Sequence, residues 1–528
     1  MNMKVLVSDA LSQQGLNLLI REEDFEIDVK TDLTSEGLLD RIGDYDALII
    51  RSTTKVTADV IKAATRLKVI GRAGVGVDNI DLRAATRQGI LVVNTPTSNT
   101  ISAAEHTFTL MLALSRNILP AGISLKQGRW LRNRFIGVEL YGKVFGVMGL
   151  GKIGSEVLHR AQAFGMKTIA YDPYVSLDAA EKSGIHLVKR EELFKEADYI
   201  SIHTPVSPET YHTISDEEFA MMKPSCRIIN CARGGIIDEE ALYRALKNGT
   251  IAGASLDVFE EEPATDSPLL TLDNMLATPH LGAATAEAQE QVAVEIAQQV
   301  VNALRGLPVE HAVNQPKIDW RTLEVLGPYL TLAEKIGSFH AQLVDGQISE
   351  LKIDYIGELF DDEDVTPITV ALQKGLLSPV LTDVNYVNAP LFIRQRGIGV
   401  TEAKSHSEGH FANSIIVTVM TDGTPRVIQG TAFGQEDLRI VRIDQHHVHA
   451  KAEGDMILVY NQDQPGMIGL LGTILGDHNI NIADMTVGRS DIGHHAVMVI
   501  SVDSRVPRSV LQHIANQDRV FFVKQVKL

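Results

Sequence analysis

Gly149-Leu150-Gly151-Lys152-Ile153-Gly154 follows the hydrophobic run Val144 to Met148 and opens a helix-compatible segment. In that setting the first glycine permits a tight turn, the second lets backbone approach a pyrophosphate, and the third lets helix and strand pack closely. Free N–H groups and the helix dipole then hold the phosphates. Asp172 stands at the end of the next strand-like run, 18 residues beyond Gly154. A carboxylate there accepts hydrogen bonds from ribose hydroxyls and repels a 2′-phosphate, so the expected cofactor is NAD rather than NADP.

The elements that must carry this site alternate in a regular way. Short β-rich runs at Val5, Ala47, Lys68 and Ile90 are separated by helical patterns, and a long helix is expected from about Ser102 to Arg116. A second series of runs begins at Val144, Lys167, Tyr199, Arg227, Gly253 and Asn274. Such alternation predicts parallel sheets flanked by helices. An amphipathic helix from Ala286 to Leu304 is expected to return to the first unit, and the stretch Leu307 to Pro316, with two prolines, marks a boundary. Beyond it the rhythm stops: helix and strand signals mix, with an Asp422-Gly423 hairpin pair, and their function is not readable from the residues. From Asp455 the order becomes βαββαβ, a ferredoxin-like split module. The domains expected are 1–97 with 284–316 for substrate, 98–283 for the nucleotide, 317–453 intervening and 454–528 regulatory.

Three further runs follow the glycine turn in order: Asn230-Cys231-Ala232-Arg233-Gly234-Gly235, Asp257-Val258-Phe259-Glu260-Glu261-Glu262-Pro263 and Thr278-Pro279-His280-Leu281-Gly282. Together they resemble the signature of the D-isomer-specific 2-hydroxyacid dehydrogenases. The resemblance implies two Rossmann-like doubly wound units and a catalytic set of Arg233, Glu262 and His280. Oxidising a secondary alcohol removes a proton from oxygen while hydride leaves carbon, so a group titrating near neutrality must touch the hydroxyl. His280 is the implied base and Glu262 the carboxylate that fixes its tautomer. Arg233 would bind the substrate carboxylate and polarise the neighbouring C2 oxygen. The same resemblance lines the cofactor crevice with Lys152, Ile153, Thr204, Cys231, Ala232, Arg233, Asp257, His280, Leu281, Gly282 and Ala283.

Substrate identity is expected from the first unit. The run Arg72-Ala73-Gly74-Val75-Gly76-Val77-Asp78-Asn79 resembles the family loop whose backbone amides receive the substrate carboxylate, with Arg72, Gly74, Val75 and Gly76 as contacts. Asn99 matches another contact position. Arg51, beside Ser52, stands where phosphoglycerate dehydrogenases of this family place a phosphate-binding arginine, and guanidinium suits phosphate. Arg129 to Arg134 adds more guanidinium groups. Either they bind phosphate or Trp130 anchors a subunit interface with arginines at its rim.

The tail, Leu458 to Gly466 and then Asn479 to Ile482, resembles an ACT domain, a small amino-acid-binding fold. In relatives that bind L-serine there, the contacts correspond to Asp463 and Asn481, with Asn461 where relatives often carry His or Tyr. The order of all four parts resembles the long phosphoglycerate dehydrogenases, which implies NAD-dependent oxidation of 3-phospho-D-glycerate to 3-phosphohydroxypyruvate at the head of serine biosynthesis. Feedback by serine and a homo-oligomer, dimer or tetramer, are implied as well. The competing expectations are an unphosphorylated 2-hydroxyacid, such as glycerate or 2-hydroxyglutarate, and an NADH-sensing scaffold without turnover.

Composition limits the rest. Lys plus Arg number 49 against 67 Asp plus Glu, and a formal charge of -18 disfavours nonspecific binding to nucleic acid or anionic membranes. Anionic ligands must be captured by local positive groups. Apolar stretches such as Phe108 to Leu114 fall short of the ~20 residues of a membrane span, and the start shows no basic-then-apolar pattern, so a cytoplasmic location is expected. Cys226 and Cys231 match neither a disulfide framework nor a zinc spacing. His446, His447 and His449 lack acidic partners at ligand spacing and are read as exposed polar residues, so no metal is expected.

Overall fold

The computed structural model describes residues 2–182, 184–406, 411–489 and 495–528. Its first sheet holds five parallel strands, β1 (Met3–Val7), β2 (Phe25–Val29), β3 (Ala47–Ile50), β4 (Val69–Arg72) and β5 (Leu91–Asn94), in the order β2-β1-β3-β4-β5. All four residues of β3 are buried, as expected for a strand covered by helices on both faces.

The second parallel sheet runs β6 (Val144–Met148), β7 (Lys167–Tyr171), β8 (Tyr199–Ile202), β9 (Arg227–Asn230), β10 (Gly253–Leu256) and β11 (Met275–Ala277) in the order β11-β10-β9-β8-β6-β7. Outside β7, a single parallel bridge from Ala170 to Leu187 stands where a doubly wound sheet would carry one more strand. The strand order reverses between β6 and β8, and in such sheets ligands bind beyond the carboxyl ends at that point. Gly149 after β6 and Thr204 after β8 lie there: a Cβ on Gly149 would come within 2.9 Å of Thr204.

Two helices tie the units together. Thr100–Ser115 buries Phe108, Leu110 and Met111 against the second sheet, whereas Ala286–Leu304 carries Val292, Ile296 and Val300 back to the first. Gly15 is the close point of this return, since a Cβ there would meet the Ala293 carbonyl oxygen at 2.6 Å. No single helix among the described residues is long and apolar enough to cross a membrane.

Beyond residue 316 a sheet of β12 (Ile348–Ile356), β13 (Gly399–Ser405), β14 (Ser414–Thr421), β15 (Arg426–Phe433), β16 (Asp437–Ile443) and β17 (His446–Lys451) is ordered β13-β12-β14-β15-β16-β17. The helices Trp320–Leu343 and Thr366–Leu377 cover it, and Asp422-Gly423 falls between β14 and β15. The last module has β18 (Asp455–Gln462), β19 (Ile482–Arg489), β20 (His495–Val502) and β21 (Val520–Lys527), ordered β19-β20-β18-β21. Its strand β18 is buried on both faces. Ile457 and Val459 pack on the module's own helices, whereas Met456 and Leu458 join the core of the preceding domain.

That docking corrects the reading of the histidines. Residues of β17 alternate between buried and exposed, which buries His446 edge-on against Tyr460 and leaves His447 and His449 outside. Alternation does separate the three, but it turns one of them inward. Among the described residues no group of three His, Cys, Asp or Glu is disposed to hold a metal ion.

Gly15→Ala forces the return helix off its seat, because backbone rather than a movable side chain blocks the new methyl. Overpacking of this kind costs roughly 1–3 kcal/mol. Urea unfolding followed by circular dichroism should show that loss, and an unchanged midpoint would contradict the packing.

Candidate active site

The loop after β9 is shaped by its own asparagine. Asn230 Oδ1 accepts the Ala232 N–H at 3.0 Å and Asn230 Nδ2 donates to the Arg233 carbonyl at 2.8 Å, closing the turn that exposes Arg233. At Gly234 a Cβ would lie 1.9 Å from the Phe259 carbonyl oxygen, so this loop and the one after β10 touch where only glycine fits. The spacing of the arginine run and the glutamate run is therefore a packing requirement.

His280 sits at φ 56°, a left-handed conformation uncommon for any residue but glycine, though histidine tolerates it better than most. It is held there from below. The His280 N–H donates to the Asp257 carbonyl at 2.9 Å, and the fully buried Asp257 carboxylate collects the rest of the segment. Its Oδ1 accepts from Leu281 N–H at 2.7 Å and from Thr278 Oγ1 at 2.6 Å, and its Oδ2 from Gly282 N–H at 2.8 Å. His106 Nε2 lies 3.1 Å from the same Oδ1 and 3.1 Å from Thr278 Oγ1. Burial by itself would raise the Asp257 carboxyl, but His106, Thr278 and the Leu281 amide outweigh it and hold it below the usual aspartate range.

With the segment fixed, His280 Nδ1 is 2.9 Å from Glu262 Oε2, which leaves Nε2 for a reacting group. Burial opposes ionisation of Glu262 too, yet His280 and the Phe259 N–H, 3.2 Å from Oε1, keep its pKa lowered. This is a carboxylate-oriented imidazole, the arrangement general-base catalysis needs.

Arg233 faces the first unit, with Nε 3.3 Å from Asp78. Arg72 folds back over its own loop: a Cβ on Gly74 would collide with Arg72 Nη1 at 1.6 Å. Burial first, then the nearby Arg233 and Arg51 charges, push the Arg72 guanidinium down to about 10, and its Nε is buried without a partner. Val75 and Gly76 complete the loop, with the Val75 carbonyl held by Asn94 Nδ2 at 2.6 Å. Arg51 gives its backbone N–H to Asp9 at 2.6 Å, and Ser52 is exposed beside it. The buried Asn99 Oδ1 and Thr204 Oγ1 also lack partners, so three of the residues expected to face substrate or cofactor hold orphaned polar atoms.

The nucleotide end fits a dinucleotide. Gly149 has φ 97°, Gly151 faces open space, and a Cβ on Gly154 would strike the Gly149 carbonyl oxygen at 2.1 Å. Lys152 and Ile153 begin the helix Lys152–Ala163, whose N-terminus points its amides at the turn. Asp172 Oδ2 accepts from the Leu150 N–H at 2.8 Å and Oδ1 from Tyr174 N–H at 2.9 Å, leaving lone pairs for ribose hydroxyls. Cys231 and Ala232 line the arginine loop, and burial pushes the Cys231 thiol up to about 12, away from the thiolate form. Ala283 continues the histidine segment beyond Gly282.

The tail residues separate. Asp463 lines a cavity of about 460 Å³ with Gln464, Val487 and Arg489, and its Oδ1 is 3.3 Å from Arg489 Nε. Asn461 is fully buried and donates to the Gln462 carbonyl at 2.8 Å, whereas Asn481 is tied to Asp503 at 2.7 Å. Neither asparagine lines the cavity. Sequence reasoning missed Arg489, at the end of β19 and far in sequence from the Asp463 motif, and His106, one of several polar residues in the helix Thr100–Ser115.

Asp257→Asn places an amide N–H against donors and should destabilise the chain by ~2 kcal/mol at neutral pH, as for hydrogen bonds to a charged group. Because the folded-state carboxyl is lowered, this contribution is present above the unfolded aspartate pKa and is lost as pH falls through the folded value. Thermal melts of both proteins should show a gap at neutral pH that narrows below the aspartate range; a gap that widens in acid would contradict the assignment.

Comparison with known proteins follows the same division. Residues 108–282 match the D-isomer specific 2-hydroxyacid dehydrogenase NAD binding domain, 325–444 the D-3-phosphoglycerate dehydrogenase intervening domain, and 456–519 the ACT domain. The D-3-phosphoglycerate dehydrogenase of Methanocaldococcus jannaschii is 48% identical over 97% of each chain, and that of Synechocystis is 45% identical over 99% of this chain and 95% of its own. Among solved structures, a D-lactate dehydrogenase from Aquifex aeolicus complexed with NAD and lactic acid is 30% identical, with a TM-score of 0.52 over 57% of this chain and 96% of its own. The nucleotide unit binds NAD. The chain belongs to the D-3-phosphoglycerate dehydrogenase family of D-isomer-specific 2-hydroxyacid dehydrogenases.

Proposed function

We propose that the chain oxidises 3-phospho-D-glycerate to 3-phosphohydroxypyruvate with NAD, reversibly, as the first step of serine biosynthesis. The observation that carries this reading is the grouping of Arg51, Arg72 and Arg233 about the Gly74 to Gly76 loop, in a protein of formal charge -18. Such a site suits a substrate with a carboxylate at one end and a phosphate at the other.

The glycine turn from Gly149 to Gly154 would hold the pyrophosphate, Asp172 the adenosine ribose, and Thr204, Cys231, Ala232, Asp257 and the segment from Leu281 to Ala283 the nicotinamide side. When bound, NAD supplies the acceptor for hydride from C2. His280 Nε2 takes the hydroxyl proton, and Glu262, ionised and bonded to Nδ1, stabilises the imidazolium that results. Arg233 and the amides of Gly74, Val75 and Gly76 orient the carboxylate, Asn99 adds a polar contact, and Arg51 with Arg72 takes the phosphate.

At the tail, Asp463 and Arg489, ion-paired at 3.3 Å, line one cavity with opposite charges, which suits the amino group and carboxylate of an amino acid such as L-serine. The effector reading rests on these two and Gln464, rather than on Asn461 or Asn481. A second copy of the chain covers the apolar face of Ile118, Ile123, Leu125, Trp130 and Ile136; Trp130 is 78% exposed in the single chain.

Loss of NADH absorbance with 3-phosphohydroxypyruvate tests the reaction, and added L-serine tests the effector. His280→Asn should abolish turnover while NADH binding, read by fluorescence, persists; an active variant would end the mechanism. Arg51→Ala should raise the Michaelis constant for the phosphorylated oxoacid and leave an unphosphorylated one nearly unaffected. Equal effects on both would remove Arg51 from the phosphate site.

A further inference from the structure

The Arg72 to Asn79 loop is fastened at two points and free at a third. Asn94 Nδ2 holds the Val75 carbonyl at 2.6 Å, and Asn79 Nδ2 donates to the carbonyls of Arg51 and Thr54 at 2.7 and 2.6 Å. Between these anchors stands Asp78, aimed across the cleft at the nucleotide unit. It meets Arg233 at Nε, 3.3 Å from Asp78 Oδ2, while Arg233 Nη1 donates to the Ala232 carbonyl at 2.6 Å. Two of the three guanidinium nitrogens are thereby committed, and the third faces the glycine loop. A Cβ on Gly76 would lie 2.3 Å from Arg233 Nη2 and 2.8 Å from Asp78 Oδ2, so the absence of a side chain at 76 is what admits both groups.

We infer that Asp78 is a positioning residue for the reaction: it holds Arg233 through Nε so that Nη2 is presented to the substrate carboxylate at the Gly74 to Gly76 loop. An ion pair this exposed contributes little to folding stability. Its consequence is geometric. Arg233 and Arg72 repel one another, and without a carboxylate on its Nε side the Arg233 side chain keeps only the Nη1 bond to the Ala232 carbonyl to fix its rotamer. Asp78 also belongs to the first unit and Arg233 to the second, so the pair sets the two walls of the cleft in register before substrate arrives.

This inference rests on the reading of Arg233 as the carboxylate contact. The test compares Asp78→Ala, Asp78→Asn, Arg233→Ala and the double variant Asp78→Ala with Arg233→Ala, in the full-length protein, by reduction of 3-phosphohydroxypyruvate with NADH. Asp78→Ala should lower kcat/KM roughly 10- to 100-fold, the range expected when a reacting partner is misplaced by about an ångström. The loss should lie mainly in KM, with the NADH dissociation constant and melting temperature unchanged. Asp78→Asn, which keeps an oxygen to accept the Nε–H, should recover part of it. In the Arg233→Ala background, loss of Asp78 should cost nothing more, because the group it positions is gone. Wild-type behaviour in Asp78→Ala, an additive loss in the double variant, or a loss that follows the melting temperature would each overturn the inference. A wild type without turnover would sink the functional reading and this inference together, whereas an active wild type indifferent to Asp78 sinks the inference alone.

Discussion

The carboxylate of Asp257 is the point from which the catalytic face is hung. It is buried with no exposed surface and stays ionised because the Thr278 hydroxyl, the Leu281 and Gly282 amides and His106 all converge on its two oxygens. Those bonds fix the segment from Thr278 to Gly282, and fixing it forces His280 into its left-handed backbone with Nδ1 turned to Glu262. Local strain of this kind persists only when the surroundings over-determine it. A buried charge with this many partners is costly to disturb from any side, and the helix carrying His106 couples the segment to the crossing between the two units.

A second constraint is electrostatic. The chain as a whole is acidic, yet the cleft groups the guanidinium charges of Arg51, Arg72 and Arg233, with Asp78 paired to Arg233. Association of a multiply charged anion relieves that repulsion, and the unpartnered Arg72 Nε is a donor such a ligand can engage. Glycines at 74 and 76 make the crowding sterically possible, since side chains there would occupy the space of Arg72 and Arg233.

Much of this was legible in the sequence for local reasons. The glycine turn, the strand before it and Asp172 lie within 29 residues and obey rules that involve only neighbours. The parallel sheets follow from apolar runs at regular intervals. What escaped depends on contacts between distant segments. His106 reaches Asp257 across 151 residues, and Arg489 meets Asp463 from another strand, so neither has a sequence signal of its own. Asn461 and Asn481 were placed by resemblance, and burial against β21 and a bond to Asp503 take them elsewhere. The burial of His446 depends on the tail module docking through the Met456, Leu458 and Tyr460 face of β18, which the sequence of β17 alone could not reveal.

The central claim is that the His280–Glu262 pair and the arginine loop converge on one small carboxylate-bearing molecule. A structure of the ternary complex with NADH and an unreactive 2-carbon-substituted phosphocarboxylate analogue tests it most directly. The account predicts the analogue's C2 oxygen within hydrogen-bonding reach of His280 Nε2, its carboxylate on Arg233 and the Gly74 to Gly76 amides, and its phosphate on Arg51 or Arg72. A carboxylate seated away from that loop, or His280 Nε2 turned from the C2 oxygen, would contradict it.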